Sequence, residues 1–296
     1  MDNKQGERSL TESLQEYLRG ITGGLLFSLP LLYTMEVWWA GFISHPLRVL
    51  IYVLATFTLL LGYNRYAGLR RSASPIEVAI DSVEEMGLGL VIAAVVLWLL
   101  GQIRSEMTVP EIAGKIIVEA MTVAIGVSVG TAQLGGGEGQ QKKDKGMKGE
   151  DDYTSSTPVP LLTGNNSDFS GQLALALCGA MLFAANVAPT EEIIQIAIET
   201  SPWKLLGLAV LSMLLATMIL FYSDFTSSQR ISEDKSIKTV IFGAVITYAI
   251  ALVASAATLW FFGRFDGTAL IICLAQTVVL GVAATLGASA GRLLLQ

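Results

Sequence analysis

Six glutamates stand where glutamates are costly. Glu36, Glu84, Glu85, Glu119, Glu191 and Glu192 all lie in stretches otherwise dominated by Leu, Ile, Val, Ala and Gly. Ionisable side chains in such surroundings mark proton relays and cation paths, because nothing else offsets their desolvation. Carboxylates close to one another hold protons more tightly than isolated ones, which suits proton uptake and release near neutral pH. The segment FAANVAPTEEIIQIAIE (Phe183 to Glu199) concentrates this chemistry, with Asn186, Pro189 and Thr190 just ahead of Glu191 and Glu192. Pro189 removes a backbone N–H and is expected to break the helix, freeing carbonyl oxygens. An oxygen-only set of carboxylate, amide, hydroxyl and carbonyl suits Ca²⁺, Mn²⁺ or Na⁺ better than zinc. Which metal, if any, stays open. Glu36, Glu192, Glu191, Asn186 and Thr190 are therefore placed near one mouth of an ion or proton path; the plain alternative, stronger for Glu191, is that these acids merely sit at headgroup level. Glu119 falls in the middle, and Glu84 and Glu85 towards the other mouth.

The elements that must position these groups are membrane helices. Of 296 residues, 52% are hydrophobic and 15% charged, and the apolar residues come in runs of about 20, enough to cross a hydrocarbon core. The net charge of −6 decides little, since its acids are divided between these runs and one loop. Eight spans are expected, beginning near Gly20, Pro46, Pro75, Val109, Phe169, Pro202, Ile237 and Thr268. Leu10 to Arg19 reads as a short amphipathic surface helix ahead of a first span from Gly20 to Ile43, kinked at Pro30. The polar first 19 residues lead into that span without an AxA-type site, so no cleaved leader is expected. Between Gly135 and Asp168 the chain is rich in Gly, Lys, Asp and Ser and reads as a flexible linker.

An internal match organises these spans. GGLLFSLPLLYTMEVWW (Gly23 to Trp39) aligns with GAMLFAANVAPTEEIIQ (Gly179 to Gln195) at a constant offset of 156. Glu36 falls on Glu192 and Pro46 on Pro202. Further along, LWLLGQI (Leu97 to Ile103) answers LWFFGRF (Leu259 to Phe265), and GVSVG (Gly126 to Gly130) answers GASAG (Gly287 to Gly291). The expected fold is all-α: a polytopic membrane protein of eight transmembrane helices arranged as two parallel four-helix repeats. Its expected divisions are an N-terminal cytoplasmic segment 1–19, repeats 20–134 and 169–296, and the cytoplasmic linker 135–168. Of 19 Lys and Arg residues, only Arg48, Arg104, Lys115, Lys204 and Arg264 fall on the side opposite the N-terminus. The positive-inside rule then puts both termini in the cytoplasm of a multi-pass plasma (inner) membrane protein.

Other motifs give less. Gly126, Gly130, Gly287 and Gly291 frame two GxSxG patterns, which in a hydrolase would hold a nucleophile. That role needs a strand–turn–helix and a histidine partner, whereas Ser128 and Ser289 lie in apolar helices and the single histidine, His45, lies in a loop. Glycines four apart read instead as helix-packing faces, and no enzyme is expected. Glu119 has a plain alternative as the ion-pair partner of Lys115, four residues away. Glu84 and Glu85 have one as water-facing interfacial acids. Cys178 and Cys273 form no CxxC or Cys/His cluster. No cofactor is implied. The expected partners are the lipid bilayer and a small cation or proton, not nucleic acid; a homo-oligomer is left open.

On FSLPLLYTMEVWW (Phe27 to Trp39) and FAANVAPTEEI (Phe183 to Ile193) the chain resembles a family of bacterial predicted integral membrane proteins of unknown function, which implies membrane location and no particular activity. NVAPTEEI is also similar, over about eight residues, to the Ser/Thr-x-Pro-Glu signature of sodium/calcium and proton/calcium exchangers, in which the Glu binds the cation; here Thr190 follows the proline. The function expected is a membrane cation pathway, a transporter or channel for protons or a small hard cation. The alternative is a non-transport sensor or assembly module acting through the linker and N-terminus.

Overall fold

The computed structural model describes residues 10–32, 34–68, 74–145, 166–227 and 237–293. These form ten helices: α1 (Leu10–Leu32), α2 (Met35–Ile43), α3 (Pro46–Ala67), α4 (Pro75–Leu99), α5 (Val109–Lys145), α6 (Asn166–Val187), α7 (Glu191–Glu199), α8 (Pro202–Ser227), α9 (Ile237–Phe261) and α10 (Leu270–Leu293). Seven of them are long and apolar enough to cross a membrane, namely α3, α4, α5, α6, α8, α9 and α10. The core gathers on α5, α6 and α10. In the apolar stretch of α5, 78% of the residues are buried, against 17% in α8. A helix apolar all round and buried is a core helix, and one apolar yet exposed faces lipid.

The first span departs from expectation. The surface helix and the span are one continuous helix, α1, because nothing between Arg19 and Gly20 breaks it. The apolar stretch then stops at Leu32 and resumes as the nine-residue α2. Pro30 lies inside α1 rather than at its end. The chain turns at Thr34, whose N–H donates to the Leu31 carbonyl at 2.8 Å and whose hydroxyl donates to the Pro30 carbonyl at 2.8 Å. These bonds satisfy carbonyls that a helix end would otherwise leave bare. The α6–α7 break is built alike. Thr190 donates from its N–H to Val187 at 3.1 Å and from its hydroxyl to the same carbonyl at 2.9 Å. At the other end of the first half, α5 continues to Lys145, eleven residues into the stretch read as linker. Residues 146–165, the basic turn holding Arg70 and Arg71, and residues 228–236 lie outside the described residues.

Local sequence explains the remaining boundaries. Proline opens α3, α4 and α8, at the first turn where its missing N–H costs nothing. Ser74 and Glu77 close a reciprocal cap on α4, with Glu77 N–H to Ser74 Oγ at 3.3 Å and Ser74 N–H to Glu77 Oε2 at 2.8 Å. Helices α4 and α9 end on the LWLLG and LWFFG motifs. In each the glycine takes a positive φ, 68° at Gly101 and 72° at Gly263, which L side chains rarely adopt. The two loops that follow, together with α2 and α7, form one end of the bundle.

Close backbone approach holds the helices together. A Cβ on Gly23 of α1 would collide with the backbone of Gly130 and Gly126 on α5, and a Cβ on Gly179 of α6 with the backbone of Gly287 and Gly291 on α10. Gly41 of α2 meets Gly114 of α5 in the same way. Membrane helices associate through such contacts, since lipid supplies no hydrophobic drive between them. Gly87 and Gly207, by contrast, have nothing within 4 Å of a built Cβ. Gly179→Val is therefore expected to destabilise the folded protein by about 1–3 kcal/mol through overpacking. Gly87→Ala and Gly207→Ala should be neutral or stabilising by up to about 1 kcal/mol. Thermal unfolding in one detergent decides; equal losses at all three sites would contradict the packing role.

Candidate functional site

The acids predicted from sequence divide into three places. At the α2/α7 end lies a cavity of about 730 Å³. Glu36, in the first turn of α2, and Glu191, in the first turn of α7, line it, as do His45 and Pro189. Glu192 does not line it and is solvent- or headgroup-exposed. The pairing of Glu36 with Glu192 suggested by the sequence offset is thus replaced in the cavity wall by Glu36 with Glu191. The reason is rotational: neighbouring residues on a helix point about 100° apart.

Arg264, from the loop between α9 and α10, projects into the same wall. Burial pushes its guanidinium below its usual pKa, while Glu191, Glu36 and Glu192 pull it back up. It remains charged, as arginine does throughout. Across the cavity, Arg48 of α3 grips Asp266 in a two-pronged pair at 2.7 and 2.8 Å and lies 5.3 Å from the centre of the Trp260 ring. His45 Nδ1 accepts the Leu47 N–H at 3.2 Å, so the imidazole caps α3.

Asn186 and Thr190 are held by backbone. Asn186 Oδ1 accepts the Leu31 N–H at 3.1 Å, and its Nδ2 donates to Phe27 at 3.1 Å and Leu182 at 2.6 Å. Phe27 and Leu31 are the carbonyl and N–H that bond directly to each other in a regular helix. The amide of Asn186 bonds to both groups, in the turn that holds Pro30.

Glu119 is completely buried within α5, about 15 Å along the helix from Val109. Lys115 does not pair with it. The Lys115 ammonium turns towards the α2/α7 end and donates to the Gln102 carbonyl at 3.1 Å. Trp38 lies beside the carboxyl, but its indole N–H donates to Leu32 at 3.2 Å. Both Glu119 oxygens are left without a hydrogen-bond partner among the described residues. Tyr52 is within electrostatic reach and shares a hydrogen bond of 2.9 Å with Thr122, one turn beyond Glu119.

The third place separates two neighbours that the sequence left together. Glu84 is exposed. Glu85 accepts a hydrogen bond of 2.7 Å from Asn64 Nδ2. Asn64 also donates to Ser82 at 3.1 Å and accepts from Ser128 at 2.9 Å. Between Tyr52 and Asn64 on the buried face of α3 stands Thr56, whose hydroxyl has no partner among the described residues. Ser128 thus belongs to a polar seam between α3, α4 and α5, with Gly126 and Gly130 at its back against α1. Its counterpart Ser289 is buried without a partner among the described residues. Among the described residues no cluster of three or more His, Cys, Asp or Glu could hold a metal ion.

A family model described as "Putative integral membrane protein (DUF2391)" matches residues 16–295. The chain belongs to this family. Integral membrane location, with multiple crossings, follows from that match and from the seven long apolar helices. No curated protein and no solved structure matches the chain. Sequence reasoning missed Asn64, Tyr52, Thr122 and Arg264. Asn64 stood in a run dominated by arginines, and Tyr52 and Thr122 read as ordinary helix residues.

Two outcomes are expected from this geometry. Asn186→Leu keeps the volume but strips two α1 backbone groups of their partner, and should destabilise the protein by about 1–3 kcal/mol. Reversible SDS-induced unfolding measures it; undiminished stability would remove the bridging role. Asp266 is held below the usual carboxylate range by the Arg48 hydrogen bond and charge. Its contribution is therefore present above the unfolded-state pKa of about 3.9 and is lost as pH falls through the lower folded value. Wild type should melt slightly above Asp266→Asn at pH 7, and the two should converge below about pH 3.

Proposed function

We propose that the protein is a membrane pathway for protons or a small hard cation, running through its first half with Glu119 as the central group. The observation that carries this reading is the fully buried carboxyl of Glu119 without a hydrogen-bond partner among the described residues. An ionised carboxylate in such a place needs donors or a counter-charge. With neither, Glu119 carries a proton or receives a cation. The seam of Tyr52, Thr122, Thr56, Asn64, Ser128 and Glu85 leads from it towards the end of the bundle where α4 begins. Hydroxyl and amide groups in sequence, with internal waters between them, are what a proton relay requires. The cavity bordered by Glu36 and Glu191 forms the opposite mouth.

Further features support the two-repeat reading within this proposal. Helices α2 and α7 share bounds 156 residues apart, as do the proline starts of α3 and α8. Counting α1 and α2 together as one broken crossing gives eight crossings, which would bring the start of α1 and the end of α10 to one face. The distribution of Lys and Arg supports a cytoplasmic assignment of that face.

The test is flux into proteoliposomes loaded with a pH dye or a Ca²⁺ dye, under imposed proton, Na⁺, Ca²⁺ and Mn²⁺ gradients. Glu119→Gln should cut flux about 100-fold or more while the protein stays folded and monodisperse. Glu85→Gln should reduce it, and Glu84→Gln should leave it unchanged. Wild-type flux in Glu119→Gln would end the claim on this residue. No flux of any of these ions through inserted wild-type protein would sink transport of them and favour a sensor or assembly role.

A further inference from the structure

The cavity at the α2/α7 end has a composition that an ion mouth alone does not explain. Its two arginines are used differently. Arg48 is saturated by Asp266 and stacked on Trp260. Arg264 is half-buried, and its guanidinium makes no hydrogen bond or ion pair with the described residues; Glu36, Glu191 and Glu192 act on it only through space. A guanidinium with free donors in a recess is an anchor for an oxyanion, which it can grip through two parallel hydrogen bonds. Glu36 and Glu191 in the same wall are acceptors for an ammonium group. A lone cation would leave the Arg264 donors unused, and a lone anion would be repelled by the two carboxylates. One molecule bearing both charges a few bonds apart satisfies all three side chains.

The rest of the lining adds an apolar side. Ile51 and Leu47 of α3 border the cavity and continue into a surface row with Leu50 and Leu54, all four largely exposed. Trp39 and Trp260 stand at its edge, amphipathic rings of the kind found at headgroup depth. The recess therefore opens sideways onto the lipid-facing flank of α3.

We propose that this cavity is a binding site for a zwitterion with one oxyanion and one primary ammonium, of the phosphoethanolamine type, with the oxyanion on Arg264 and the ammonium against Glu36 and Glu191. The cavity is the mouth assigned above to the Glu119 pathway, but binding here depends on Arg264, Glu36 and Glu191 and does not require flux through Glu119. Two sources carry the chemistry: the headgroup of an aminophospholipid, its acyl chains along Leu47, Leu50, Ile51 and Leu54, or a free phosphoethanolamine-like molecule. A phosphatidylcholine headgroup has the same charges but no N–H to donate to the carboxylates, and a phosphatidylglycerol headgroup lacks the ammonium.

The experiment uses the full chain in detergent, delipidated and titrated with short-chain phosphatidylethanolamine, phosphatidylcholine, phosphatidylglycerol or soluble phosphoethanolamine. Binding is followed by thermal shift and native mass spectrometry. Phosphatidylethanolamine is expected to bind about tenfold or more tightly than either other lipid. Arg264→Gln and Glu36→Gln should each weaken it by about the same factor, and Arg264→Lys should restore part of the loss. Saturable binding of soluble phosphoethanolamine, lost in the same variants, supports the site and assigns it to a free ligand; binding of the lipid alone assigns it to the membrane. Equal affinity for the three lipids with no soluble binding overturns the proposal. So does full affinity in Arg264→Gln and Glu36→Gln, each checked by its own melting curve. Flux through the Glu119 path is read separately, so either claim can fail alone.

Discussion

The bridge from Asn186 to α1 is the constraint on which the two halves depend. Pro30 leaves a helix that has lost one donor and strained its neighbours. In a membrane there is no water to repair it, and each unsatisfied backbone group costs several kcal/mol. The carbonyl that Pro30 leaves without its helix donor is that of Leu26; the turn beside it is held from α6, by one side-chain amide that accepts from Leu31 and donates to Phe27. The same amide returns to its own helix at Leu182. One residue thus fixes the depth and rotation of α1 against α6. Since α1 also lies on α5, and α6 on α10, through glycine contacts that tolerate no Cβ, the register set by Asn186 passes to both central helices. The position of Glu119 on α5 is downstream of that register.

Close approach has a second consequence. Where Gly23 meets Gly126 and Gly130, the backbones of α1 and α5 touch, and Val123, Val127 and Thr131 of α5 pack on Gly20 and Gly24 of α1 beside that contact. Ser128, between the two glycines in sequence, points away from α1 to Asn64. Thr122 points to Tyr52. The glycine contact with α1 and the polar seam with α3 lie on different sides of one helix.

Much of this was legible in the sequence. The apolar runs announced membrane helices, the prolines and glycines announced their boundaries, and the 156-residue offset announced that α2 and α7 would share an anatomy. What stayed hidden depended on rotation and reach. Glu84 and Glu85 are adjacent in the chain, yet only the packing of α4 on α3 decides that Glu85 meets Asn64 while Glu84 stays outside. The spacing of Lys115 and Glu119 allows an ion pair, but the Gln102 carbonyl captures the lysine, and no pattern along one helix could reveal a partner from a loop. Pro30 and Pro189 looked alike as breakers, yet α1 runs past Pro30 to Leu32, with Asn186 holding the Leu31 N–H, and the chain turns only at Thr34.

On the two-repeat reading proposed above, the distribution of polar groups separates the halves in role. At the offsets that relate them, Tyr52 corresponds to Leu208, Asn64 to Leu220 and Glu119 to Leu280, each an apolar replacement. Thr56 keeps a hydroxyl at Ser212, and Ser128 keeps one at Ser289, but the groups that would link them are gone. Burying an unpaired carboxyl is costly, and the second half does without it. On the same two-repeat reading, a buried Glu119 where the other half has Leu280 is difficult to explain by stability alone. On the proposed reading, the second half is the scaffold that holds α6, and through Asn186 α1, while the chemistry is confined to the first.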